Sequence, residues 1–61
     1  MICKKYEYCG YLIEIHEHPI YHDFEFVIKT LDETKIEAVN DRLFENASDA
    51  EKVAKIIINN L

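Results

Sequence analysis

Two hydrophobic periodicities divide this chain, and the change between them constrains its fold more than any other feature. From about Tyr6 to Asn40 apolar residues alternate with polar ones; from Ala50 onward, Ala50, Val53, Ala54, Ile57 and Leu61 recur at helical spacing. Ser48-Asp49-Ala50-Glu51 has the form of a capping box, and acids at Asp49 and Glu51 suit the positive end of a helix. The pattern predicts a helix from about Asp49 to Asn59 or Asn60, lying on a sheet built from everything before it.

The alternation predicts three strands. The first runs from about Tyr6 to His18, with Cys9, Tyr11, Ile13 and Ile15 on one face and Tyr8, Leu12, Glu14, His16 and His18 on the other. Gly10, the only glycine, reads as a bulge inside it. Pro19 ends the strand, and His18-Pro19-Ile20 turns into a second strand from Tyr21 or His22 to Leu31. Asp32-Glu33-Thr34 connects to a short third strand, Lys35 to Asn40. Asn40-Asp41-Arg42 reads as a turn, and Leu43-Phe44 as an anchor into the core. The expected fold class is α+β: one domain over residues 1–61, a three-stranded antiparallel meander with a C-terminal helix on one face. Tyr11, Ile13, Ile15, Phe24, Phe26, Ile28, Ile36 and Ala38 are expected beneath the helix, with Ile56 and Ile58 flanking its main stripe.

A chain of 61 residues lies near the lower limit for folding alone, where a metal, a disulfide or a partner usually helps. Cys3 and Cys9, placed on one extended strand, would be about 20 Å apart, beyond the reach of a disulfide. Reduced thiols fit a cytoplasmic protein, and a homo-oligomer, formed through strand 1 or the open faces, is the stabilising device that remains. Lys4 and Lys5 precede no apolar stretch, so no signal peptide is expected, and no apolar run reaches membrane-spanning length. Twelve acids against seven bases give a net charge of −5, which disfavours binding to a phosphate backbone and favours a protein partner with a basic surface.

With one helix to cover two sheet faces, one face is left over. Leu12, Val27 and Val39 fall on it, together with Tyr8 and Leu31, which is more apolar than a water-facing meander requires. The same face carries Glu14, Glu25 and Glu37, one per strand. Aligned across the sheet they would repel, and would call for Lys29, Lys35 or an external cation. These six residues, Glu14, Glu25, Glu37, Leu12, Val27 and Val39, form the candidate partner-binding surface.

His16-Glu17-His18 followed by His22 offers a candidate metal set, since His16 and His18 share a face and His22 lies just past the turn. Glu14 or Asp23 would complete it. The competing reading leaves all three histidines solvated at a strand end. Cys9 reads as a small core residue. A single glycine excludes a Gly-rich phosphate loop, and no catalytic residues or cofactor are expected.

Gly10-Tyr11-x-Ile13-x-Ile15, Phe24-x-Phe26-x-Ile28, Phe44 and Ser48-x-x-Glu51 together resemble small acidic β-β-β-α accessory proteins of phages and mobile elements, such as anti-CRISPR and other anti-defence inhibitors. The resemblance is one of size, acidity and architecture, and transfers no functional residue. It implies a non-enzymatic inhibitor or adaptor that masks a basic partner surface. A small metal- or ligand-binding protein using the histidines, or a purely structural homo-oligomer, is the alternative.

Overall fold

A computed structural model describes residues 1–40 and 42–61. Five elements follow in order: β1 (Ile2–Tyr8), β2 (Tyr11–Glu17), β3 (Phe24–Thr30), β4 (Ile36–Val39) and α1 (Ala47–Asn59). The strands form one antiparallel sheet in the order β1-β2-β3-β4. The α+β class with a C-terminal helix agrees with expectation; the sheet has four strands where three were expected.

The extra strand comes from Cys9-Gly10. Both residues have positive φ, 48° and 86°, which makes the pair a two-residue hairpin turn of the primed type. The long strand expected over Tyr6–His18 therefore folds back on itself, with Tyr8 opposite Tyr11 and Tyr6 opposite Ile13. Paired residues of an antiparallel ladder share a face, so Tyr6 and Tyr8 join the helix side. Tyr8 was expected on the other face; the turn reverses the parity that an unbroken strand would keep. Cys9 lies exposed in that turn instead of in the core, and both cysteines are free thiols.

The next two connections are held by the residues that punctuate the sequence. Around Pro19, His18 N–H donates to Asp23 O at 2.7 Å and His22, at φ 59°, donates its N–H to His18 O at 2.9 Å. Between β3 and β4, the Asp32 carboxylate accepts hydrogen bonds from the Thr30 hydroxyl (2.7 Å), the Thr34 hydroxyl (2.8 Å) and the Thr34 N–H (3.1 Å). Those bonds, led by the one from Thr30, hold its pKa down at about 2.

β4 stops at Val39, yet its pairing resumes further on. Asn40 Oδ1 accepts the Phe26 N–H at 2.8 Å, standing in for a strand carbonyl. Phe44 then bonds reciprocally with Phe24, at 2.7 and 2.8 Å. The turn expected at Asn40-Asp41-Arg42 includes Asp41, outside the described residues. Phe44 does enter the core, whereas Leu43 stays 41% exposed.

The core is a single cluster of Ile13, Ile15, Phe26, Ile28, Phe44, Ala50, Ala54 and Ile58. The helix rests on β2 and β3. Ala50 and Ala54 are fully buried, and their small side chains let the helix axis come close to the sheet. The buried stripe runs through Ala50, Ala54 and Ile58, with Val53 and Ile57 beside it. Ile58 thus takes the place expected for Leu61, which is 61% exposed beyond the last turn. Ile36 is also 59% exposed, because an irregularity between Ala38 and Ile36 sets it opposite Lys29.

The helix begins at Ala47, with Asn46 as its N-cap and no side-chain cap bond. The expected capping box at Ser48 does not form, since Ser48 lies inside the first turn. Its intended partner, Glu51, is engaged elsewhere: it accepts from Lys4 Nζ at 3.0 Å and from Tyr6 Oη at 2.8 Å. Among the described residues no helix is long and apolar enough to cross a membrane.

Candidate functional site

Helix α1 covers one face of the sheet, and among the described residues no helix or strand covers the other. The hairpin turns set which residues meet there. Lys5, Glu14, Val27 and Val39 form one row across the four strands; Glu7, Leu12, Lys29 and Ile36 form the next; His16 and Glu25 pair beyond them.

Glu14 occupies the centre and is only 2% exposed. Lys29 Nζ donates to its Oε2 at 2.9 Å, His16 Nε2 lies 2.9 Å from Oε1, and Lys5 Nζ is 3.9 Å from Oε2. Lys5 reaches on to Glu33 Oε1 at 2.8 Å, closing an array of alternating charge that joins β1, β2, β3 and the β3–β4 turn. Burial pushes the Glu14 carboxyl up, while the hydrogen bonds and charges of Lys29 and His16 pull it down and prevail, so its pKa lies below the usual value. The Glu33 carboxylate raises the Lys5 pKa. An ionised carboxylate with both oxygens engaged and almost no exposure is a held charge; general acid–base work needs a group poised near neutrality and open to substrate.

The expected acidic row does not line up. Glu14 faces Val27, Glu25 faces His16, and Glu37 lies in the β4 irregularity with Lys35 Nζ at 3.4 Å. The offset follows from the turn lengths, which place a carboxylate of one strand beside a base or an apolar residue of the next. Lys29 and Lys35 do supply the internal cations that such a face requires. Of the expected apolar members, Leu12 and Val27 are half-buried among these side chains and Val39 is 58% exposed.

The histidines separate. His16 belongs to Glu14; His18 Nδ1 accepts the Ile20 and Tyr21 N–H groups at 3.2 and 3.4 Å; His22 Nδ1 lies 3.0 Å from Glu17 Oε2. Among the described residues no three His, Cys, Asp or Glu side chains gather as a metal site. Imidazoles drawn to three different neighbours leave the expected His16–His18–His22 set without a common centre.

Two features escaped the sequence reading. Lys5 becomes visible as a partner of Glu14 only once Cys9-Gly10 is recognised as a hairpin turn. The second is a groove of about 400 Å³ between the end of β4 and α1, lined by Phe26, Val39, Asn40, Arg42, Phe44, Val53 and Ile57. It exists because the helix lies over β2 and β3 and leaves the β4 side open; Val39, Asn40, Arg42 and Phe44 meet a helix face there with no local signature. The Arg42 guanidinium sits 5.4 Å from the centre of the Phe44 ring at its mouth.

No protein-family model matches the chain, and no curated protein or solved structure matches it.

Proposed function

We propose that this protein is a non-enzymatic protein-binding module that docks its uncovered sheet face on a partner with a basic surface, in the manner of a small inhibitor that masks a site. The observation that carries the reading is the composition of that face. Leu12, Val27, Ile36 and Val39 provide apolar contact around a self-neutralised centre, and Glu7, Glu25 and Glu37 remain toward its margin. Lys5, Lys29 and His16 already balance Glu14, so the attraction for a basic partner comes from the rim and from the net charge of −5. Rim charges chiefly raise the rate of encounter and are screened by salt, whereas central apolar residues set how long a complex lasts.

The test is an NMR titration of isotope-labelled protein with an arginine-rich peptide at low salt, repeated with a Val27→Lys variant. Shifts concentrated at Leu12, Val27, Val39 and the rim acids are expected, with weaker binding in the variant and at higher salt. Perturbations confined to the helix, or affinity indifferent to salt, would overturn the reading.

A further inference from the structure

We propose that β1 is a self-pairing edge: two copies join antiparallel through β1 about a two-fold axis at Tyr6, merging their four-stranded sheets into one. The pairing uses the backbone edge of β1, which borders the uncovered face through the Lys5 and Glu7 side chains, and does not depend on the function proposed for that face.

The argument starts from the ladder. A two-residue hairpin makes its flanking pair, Tyr8 and Tyr11, a hydrogen-bonded one, and antiparallel pairs then alternate along the strand. Tyr6 and Lys4 therefore direct their backbone groups inward to β2. Lys5 and Glu7 direct theirs outward, to an edge that no strand occupies among the described residues. Such an edge is a template for another strand unless something protects it.

Edge lysines are a common protection, but here both are already neutralised. Lys4 Nζ is 3.0 Å from Glu51 on the helix side, and Lys5 Nζ is 2.8 Å from Glu33 on the other. Glu7 is exposed and, among the described residues, has no ion-pair partner.

Charge and regularity then select the register. Residues paired across an antiparallel edge share a face and must both offer outward backbone groups, which leaves few choices. An axis at Lys5 would oppose Lys5 to itself and draw in the irregular stretch between Ile2 and Lys4. An axis at Tyr6 uses only the regular segment Lys4–Tyr8. It sets Lys5 against Glu7 of the partner subunit, and Glu7 against Lys5 of the partner subunit, each pair exchanging backbone hydrogen bonds. On the helix side, Tyr6 meets its own copy and Lys4 meets Tyr8 of the partner subunit. Lys4 then lies beside an aromatic ring, as Lys55 already does within one chain, 5.4 Å from the Tyr8 ring centre.

Sedimentation over a concentration series reads the outcome. The wild-type chain should pass from one-chain to two-chain mass between roughly 1 μM and 1 mM, the range of a small interface. Glu7→Lys and Lys5→Glu should each weaken association roughly tenfold or more, because the like-charge contact occurs on both sides of the axis. Mixed in equal amounts, these variants should form a heterodimer, since each lysine then meets a carboxylate. If Lys5→Glu disturbs the Glu14 array enough to unfold the chain by circular dichroism, Glu7→Pro replaces it. Proline there removes an outward N–H, spares the β1–β2 ladder and should abolish association. A wild-type chain that stays monomeric near 1 mM, or a dimer indifferent to Glu7→Lys, would overturn the proposal.

Discussion

The Tyr6 phenol donates a 2.8 Å hydrogen bond to Oε1 of Glu51, so a side chain of the first strand is tied to the helix that closes the fold. Lys4 Nζ takes the other carboxylate oxygen at 3.0 Å, and Lys55 Nζ lies 5.6 Å from the centre of the Tyr6 ring. This clamp holds β1 against α1, which otherwise rests on β2 and β3. Glu51→Ala is expected to cost about 1–2 kcal/mol, seen as an earlier urea midpoint with little change in slope. Tyr6→Phe made in the same background should add little, because the two substitutions remove one shared contact.

Burial raises the Tyr6 pKa, the hydrogen bond to Glu51 and the charge of that carboxylate raise it further, and it reaches about 12. The folded state therefore holds the phenolic proton more tightly than the unfolded chain, whose tyrosine titrates near 10. The resulting stabilisation is complete below about pH 10 and is lost as pH rises toward 12. Thermal melts should show a decline across that window, and Tyr6→Phe should flatten it.

Acid acts through Glu14 and Glu51 with the opposite sign. Burial raises both carboxyls, but the hydrogen bonds of Lys29 and His16 in one case, and of Lys4 and Tyr6 in the other, bring both below the ordinary value. The unfolded state then binds protons more readily, so their contribution is present above the usual carboxylate pKa and fades as pH falls through the lowered values. Glu14→Gln should reduce stability at neutral pH by about 1–2 kcal/mol and lessen its loss in acid, measured by denaturant titration at pH 7 and pH 3. A double-mutant cycle with Lys29→Met would isolate the pair.

Gly10 has φ 86° and nothing within 4 Å of the position of an added Cβ. Gly10→Ala should therefore cost about 1 kcal/mol from backbone conformation alone, with no clash to relieve. Cys9→Asn, which suits the first position of this turn, should raise the melting temperature by a few degrees, about 0.5 kcal/mol in effect.

Ala54 has no exposed surface where the helix crosses the sheet. Ala54→Leu is expected to cost about 1–3 kcal/mol by forcing the layers apart, whereas Ile56→Ala, on the 54% exposed side of the same helix, should change stability far less. Paired chemical denaturation curves decide the contrast.

The local periodicities were enough to place Ile13, Ile15, Phe26 and Ile28 in the core and to separate helix from sheet, because side-chain direction within an element depends only on spacing along it. They left Leu12 and Val27 on the far face for the same reason. Strand number differs from expectation at Cys9-Gly10, where a turn and a bulge present the same residues; Tyr8 therefore changes face and Cys9 lies in the turn instead of the core. Pairing decided the rest. Register, set by turn geometry, put Glu14 beneath Lys5 and Lys29 and kept it out of a row of acids, while local contacts in the turn after β2 drew His18 and His22 away from His16. Glu51 serves Tyr6 and Lys4 instead of its helix's own N-terminus, because those partners, distant in sequence, are close in space. The sequence by itself determined which residues are apolar together; only the tertiary structure decided which charges meet, since that depends on contacts between strands whose spacing in the chain carries no record of their register.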